Sequence, residues 1–219
     1  MSDAPRLLIS AGPTHEPIDA VRYLGNRSSG RLGCALATAS VAAGCPTTLL
    51  LGPTACPAPE DSAITTHRFQ SCADLQSLLA ECWPKHDLLL MAAAVADYRP
   101  RTVRTDEKLR RTPGRMSLEL EATPDLLAEL AANSRSDQFR IGWALEPRER
   151  LIESARAKLE RKQLDAIVAN PLGTLDSDEI EPVLLLADGS MHRPSSKRLA
   201  KSDFAVWLVE KCLKLSAKA

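Results

Sequence analysis

The sequence predicts an open α/β fold: a mostly parallel sheet with helices on its faces. Short apolar runs alternate along the 219 residues with longer stretches of helical period, the order produced by a sheet that helices cover. Several of those runs are apolar at every position rather than every second one, so both sides of the strands must be covered. One sizeable domain, 1–219, is the expectation at this length.

The first strand is RLLIS (6–10), after a short polar start. A long segment separates it from a helix at 29–43, rich in alanine and leucine and stopped by Gly44. Strands TTLLL (47–51) and ITTHRF (64–69) follow, then a helix at 73–83 and the most apolar strand, DLLLMAAAV (87–95). A helix at 124–133 should begin on Thr123 and Pro124 as N-cap and first-turn residue, with Leu126, Leu127 and Leu130 on one face. Strand RIGWAL (140–145), helix 147–162, strands AIVAN (166–170) and VLLLA (183–187) and helix 201–218 complete the alternation. SLELEAT (117–123) departs from it: strict period-two alternation after a basic loop reads as an exposed antiparallel arm outside the main sheet, of a kind that pairs with a second subunit.

Lysine plus arginine number 28, as do aspartate plus glutamate, so no net field favours nucleic acid or an anionic membrane. No run of about eighteen apolar residues exists. The start MSDAPRLLIS lacks a charged region and cleavage site of a leader, and a soluble, cytoplasmic protein is expected. Cysteines 34, 45, 56, 72, 82 and 212 form no C-x-x-C pair, and histidines 15, 67, 86 and 192 are dispersed. Free, packed thiols are therefore expected rather than a zinc site or disulfide framework.

Four segments could carry chemistry. In YLGNRSSGRLGCALA (23–37), Ser28 and Ser29 can cap a helix and Gly30 permits close backbone approach, so the helix start could take an anion or be a structural junction. It is neither a Walker loop, lacking the lysine, nor a dinucleotide fingerprint, being displaced from the first strand by an inserted loop. That loop holds Arg22, a forked donor, and Asn26, which on spacing alone reads as a turn residue. MAAAVADYRP (91–100) ends the apolar strand; its small residues allow a flat group to approach, and Asp97 follows at the edge. AGPT (11–14) and LGPT (51–54) place Gly12 and Gly52 at the same edge. RPRTVRTDEKLRRTPGR (99–115), with seven basic and two acidic residues, is either solvated surface or a lid whose lysine meets a polyphosphate. Lys158 and Lys162, four apart, share a helix face, and Trp143 could stack on a base or fill the core.

Taken in order, SAGPTHEPIDAVRYLGNRSSGRLGCALA, AAAVADYRP, EKLRR, ATPDLL, GWALE, ARAKLERKQLD and IVANP resemble the phosphopantothenoylcysteine synthetase family, the second domain of bacterial bifunctional coenzyme A biosynthesis proteins. The resemblance spans nearly the whole chain. It implies a Rossmann-like three-layer fold with a small β dimerisation arm, a homodimer with composite sites, and a two-step ligation with Mg2+. The carboxylate of 4′-phosphopantothenate attacks the α-phosphate of CTP, or of ATP as the alternative, giving an acyl-nucleotidylate that L-cysteine then aminolyses. Carried over residue by residue, it implies that Asn26 contacts the acyl group, Arg22 lies on the substrate loop and Lys108 is the lid lysine. The nucleotide site would comprise Gly12, Ser28, Ser29, Gly30, Gly52, Met91, Ala92, Ala93, Asp97, Lys108, Thr123, Pro124, Asp125, Leu126, Trp143, Lys158 and Lys162. The chain departs from the family's usual wording at Arg27, KLRR, Thr123 and Trp143. Because it starts just before the first strand, the flavin-dependent decarboxylase is expected to be a separate protein. The rival readings are an NADPH-binding oxidoreductase and a non-catalytic nucleotide-binding module.

Overall fold

Strand-forming runs that are apolar throughout send alternate side chains to opposite faces, and two cores result. The computed structural model describes residues 4–103, 106–111, 113–174 and 177–216. Its elements are, in chain order, β1 (Leu7–Ala11), β2 (His15–Pro17), β3 (Tyr23–Gly25), α1 (Arg31–Ala42), β4 (Thr47–Leu51), β5 (Ile64–Arg68), α2 (Cys72–Cys82), β6 (Leu88–Met91), β7 (Tyr98–Pro100) and β8 (Leu120–Ala122). Then come α3 (Leu126–Ala131), β9 (Phe139–Glu146), α4 (Leu151–Arg161), β10 (Ala166–Pro171), β11 (Glu179–Ile180), β12 (Val183–Leu186), β13 (Met191–His192), β14 (Leu199–Ala200) and α5 (Lys201–Ser216).

The main sheet runs β13-β12-β10-β9-β6-β1-β4-β5. From β5 to β10 every pairing is parallel; β12 and β13 extend the sheet antiparallel. Counted along the chain, the parallel strands fall in the order 3-2-1-4-5-6 of the Rossmann fold, with the connection reversing between β1 and β6. Leu7 and Ile9 face Leu36, Phe204 and Leu208 of α1 and α5; Leu8 faces Leu75, Leu127 and Leu159 of α2, α3 and α4. The predicted three layers are present.

Several boundaries move, each for a local reason. The strand expected to reach residue 95 stops at Met91, because the backbone of its partner β1 turns at Gly12, φ 81. The pairing becomes irregular there: Ala92 N still donates to Ser10 O and Ala94 N to Gly12 O, while Ser10 Oγ accepts from Ala93 N at 3.2 Å and Thr14 Oγ1 from Ala96 N at 3.0 Å. The N-cap of α3 is Asp125, accepting from Ala128 N, and not Thr123, whose hydroxyl donates to Ala96 O at 2.6 Å. Helix α4 begins at Leu151, since Arg150 N closes a turn on Pro147 O. The expected arm is present but short: β8 pairs antiparallel with β7, outside the main sheet. Its glutamates neutralise part of the basic run, Arg99 pairing with Glu121 and Arg101 with Glu119. Positions 104, 105 and 112 of the basic loop, and 217–218 of the last helix, lie outside the described residues. The inserted loop contains a hairpin, β2–β3, pinned by Glu16 Oε1 accepting from Cys72 N at 2.8 Å at the start of α2.

Every described cysteine is a free thiol, and Cys56 alone is not buried. Among the described residues no helix is long and apolar enough to cross a membrane. At the amino edge of the sheet, buried His86 places Nδ1 2.7 Å from Cys82 O and Nε2 2.9 Å from Thr48 Oγ1. Burial pushes its imidazole below the usual 6.5, so folding favours the neutral ring. That contribution is complete above pH 6.5 and fades as the pH falls below it. His86→Gln is expected to flatten the acid limb of stability below pH 6.5, read as the difference between urea midpoints of variant and parent.

Candidate active site

The carboxyl ends of β6, β9 and β10 enclose a cleft of about 1180 Å3, beside the reversal between β1 and β6 where open α/β sheets bind ligands. Its floor is Met91, the last residue of β6, and the small side chains Ala92–Ala94 beyond it. One wall is Asn26–Gly30 with the start of α1; the other is Thr123–Leu127, Trp143 and two lysines of the α4 segment.

The anion-attracting end of this cleft is a backbone feature. Gly30 caps α1 in the left-handed region, φ 72, without a side-chain cap bond, and the first turn carries no acidic residue. Ser28 and Ser29 line the cleft but do not cap: Ser28 N donates to Asn26 O, and Ser29 O accepts from Thr54 Oγ1 at 2.6 Å. The helix end therefore presents uncapped N–H groups and the positive pole of its dipole to the cleft. Gly33 brings it close, since a Cβ there would lie 2.2 Å from Ala11 Cβ.

Asn26 joins the inserted loop to the floor. Its Nδ2 donates to Ala94 O at 3.2 Å and Val95 O at 3.0 Å. Among described non-glycine residues only Gln163 has positive φ, so Asn26 is not the left-handed turn residue that its neighbours suggest. Across the cleft, Lys158 Nζ donates to Trp143 O at 3.1 Å. Burial and the neighbouring Lys162 charge push its ammonium below the usual 10.5, with Glu146 and Asp97 opposing. Lys162 pairs with Asp125 at 2.7 Å; burial works against ionisation of Asp125, but Lys162 and the Ala128 amide hold its carboxyl below the usual range. The half-buried Trp143 leaves a buried Nε1 without a hydrogen-bond partner. The site thus combines a helix end, two ammonium groups and a flat, small-residue floor, a donor set suited to a nucleoside polyphosphate.

Of the sequence-predicted residues, Asn26, Ser28, Ser29, Gly30, Met91, Ala92, Ala93, Asp97, Thr123, Pro124, Asp125, Leu126, Trp143, Lys158 and Lys162 meet on this cleft. Gly12, Gly52, Arg22 and Lys108 do not line it. Gly12 and Gly52 pack against each other instead, a Cβ on Gly12 falling 3.4 Å from Gly52 Cα. Arg22 pairs with Asp19 at 2.7 Å, and Lys108 is exposed. Sequence reasoning missed Asp19, whose Oδ1 accepts from Val21 N and Arg22 N; an aspartate two residues before a turn amide is the available signal. Thr14 and Thr54, third after the strand in AGPT and LGPT, were also legible as hydroxyls tying neighbouring loops.

A family profile described as the DNA/pantothenate metabolism flavoprotein C-terminal domain matches residues 3–215. The coenzyme A biosynthesis bifunctional protein CoaBC of Vibrio cholerae is 39% identical over 168 residues, 75% of this chain and 41% of that protein. A cysteine/cysteine sulfinic acid decarboxylase from an unknown prokaryotic organism is 44% identical over 167 residues, 76% of this chain and 46% of that protein. The chain thus spans less than half the length of these curated relatives. The crystal structure of the C-terminal domain of a CoaBC protein superimposes with a TM-score of 0.82 at 32% identity, covering 100% of both chains. A Cab2 mutant in complex with phosphopantothenate-cysteine shares the fold, TM-score 0.79 at 17% identity, over 98% of this chain and 88% of that one. The cleft, the Rossmann order and these matches together place the chain in the DNA/pantothenate metabolism flavoprotein C-terminal domain family, that of the phosphopantothenoylcysteine synthetases.

Proposed function

We propose that the protein ligates 4′-phosphopantothenate to L-cysteine at the expense of CTP. The observation that carries this reading is Asn26: the inserted acyl-substrate loop is hydrogen-bonded through it to the floor of a cleft suited to a nucleotide. A carboxylate resists amine attack until its oxygen becomes a good leaving group. The substrate carboxylate therefore attacks the α-phosphate, pyrophosphate departs, and the cysteine amine displaces CMP from the acyl carbonyl. The uncapped end of α1 and Lys158 and Lys162 bind the phosphates and offset the charge that develops there. Mg2+ would ride on the same phosphates, with Asp97, on the segment that follows β6, the cleft carboxylate proposed to meet it. Asn26 is to hold the acyl group by exchanging one of its bonds to Ala94 or Val95, and Lys108 is to reach the phosphates from the basic loop.

The arm leaves Tyr98 55%, Met116 63% and Leu120 45% exposed, apolar area that a second subunit would cover. A homodimer is proposed on that ground; sedimentation as a 23.8 kDa monomer contradicts it.

Pyrophosphate release measured with each of the four ribonucleoside triphosphates tests the reading. Release that needs 4′-phosphopantothenate and is fastest with CTP supports it, preference for ATP corrects the nucleotide, and no release with any of them overturns it. Lys158→Met is expected to weaken nucleotide binding about tenfold or more, the loss of a charge-assisted contact. Because the Lys158 ammonium is easier to deprotonate than a free lysine, affinity in the parent should fall as the pH rises at a value below 10.5. Lys158→Arg should move that limb to higher pH in a titration of bound nucleotide.

A further inference from the structure

The turn at Ile18–Arg22 has a contact that its own folding does not require. Asp19 divides its two carboxylate oxygens: Oδ1 accepts from Val21 N and Arg22 N, both at 2.8 Å, and so closes the turn. Oδ2 accepts from Leu109 N at 3.1 Å, ninety positions along the chain. Arg22 joins the same clamp, its Nη2 lying 2.7 Å from Asp19 Oδ2 and donating to Leu109 O at 2.5 Å. A third bond runs from Ala20 N to Glu107 O at 3.1 Å. The residues on both sides of Lys108 are thus fastened to one turn, while Lys108 itself is exposed.

We infer that Asp19 is a positioning residue for Lys108: with Arg22 it fixes the backbone at 107 and 109, so that the ammonium is presented from a set point on the substrate loop. The clamp has a rigid base. Ile18 N bonds Arg22 O at 2.8 Å, and the hairpin beneath is tied to α2 through Glu16. The Asp19 side chain is fully buried. Burial opposes its ionisation, but the three amides and Arg22 hold the carboxyl down at about 2, so the clamp stays charged across any working pH. A forked guanidinium suits this place because it spans the carboxylate and the Leu109 carbonyl at once, which an ammonium does less well. Arg22 is thereby assigned to holding the lid lysine rather than to the cleft.

The inference rests on the proposed role of Lys108 at the phosphates, and its test separates the two. Asp19→Asn keeps the size and the Oδ1 acceptor but removes the charge and the Leu109 bond. Limited trypsin digestion, read by fragment mass, should cut after Lys108, Arg110 and Arg111 at least about tenfold faster in the variant than in the parent. In ligation assays kcat should fall while KM for cysteine is unchanged. Lys108→Ala should cost the parent far more than it costs Asp19→Asn, because the two residues act as a unit. Arg22→Lys serves in place of Asp19→Asn if the latter fails to fold, with the same expectations. Unchanged cleavage rates, or losses from Lys108→Ala that multiply in full in both backgrounds, overturn the inference. If the parent lacks ligation altogether, the proposed function falls, and the digestion still decides whether the clamp exists.

Discussion

Asn26→Asp is expected to lower ligation by about 100- to 1000-fold, the loss seen when one donor to a developing oxyanion is removed. The substitution changes a single NH2 to an oxygen. In the parent that NH2 faces the carbonyls of Ala94 and Val95; a carboxylate there meets two acceptors and the anionic nucleotide, and has no hydrogen to offer. Asn26 is exposed, so the thermal midpoint should change little. Circular dichroism and the rate of product formation, measured on the same preparation, check both halves. Full turnover removes Asn26 from the reaction, and a collapsed midpoint makes it a structural residue.

Gly33→Ala should lower stability by about 1–3 kcal/mol, the usual cost of overpacking, even though alanine is the better helix former by about 1 kcal/mol. Its Cβ would sit 2.2 Å from Ala11 Cβ and 3.1 Å from Ala11 Cα. Neither can yield, since Ala11 is fully buried at the end of β1. Helix α1 must therefore lift from the sheet, and its uncapped end moves off the cleft, so nucleotide binding weakens along with the midpoint. Each kcal/mol lost shifts the midpoint of a protein this size by about 2–4 °C. Gly173→Ala is the control: its chain neighbours aside, no atom of the described residues lies within 4 Å of its Cβ. A Gly33→Ala protein as stable as that control contradicts the close approach.

What could be read from sequence followed from local pattern. Runs such as LLISA and AIVANP are buried at every position, as covered strands are, so the open α/β class was legible locally, whereas the Rossmann-like arrangement came from the family resemblance. The residues 91–94 were legible as a floor because small side chains end an apolar strand. The end of β6 was not legible, because Ala92–Ala94 continue its apolar character and the regular ladder becomes irregular only where the neighbouring strand turns at Gly12. Capping by Ser28 or Ser29 was a sound local reading that tertiary structure overrides: the backbone of Ser29 is engaged by Thr54, from the next strand's end. The clamp of Asp19 and Arg22 on Leu109 joins residues about ninety positions apart, and no window along the chain contains both. The expectations that Lys108 acts at the nucleotide and that Arg22 serves the substrate loop came from family resemblance; neither residue lines the cleft.

The most direct test of the ligase account is the identity of what the purified chain makes from 4′-phosphopantothenate, L-cysteine, CTP and Mg2+, followed by mass spectrometry. The account predicts 4′-phosphopantothenoylcysteine, with CMP and pyrophosphate formed in equal amounts and no product when any one of the first three components is omitted. Carbon dioxide released from cysteine with CTP left intact, the chemistry named for the 44% identical decarboxylase relative, would contradict it.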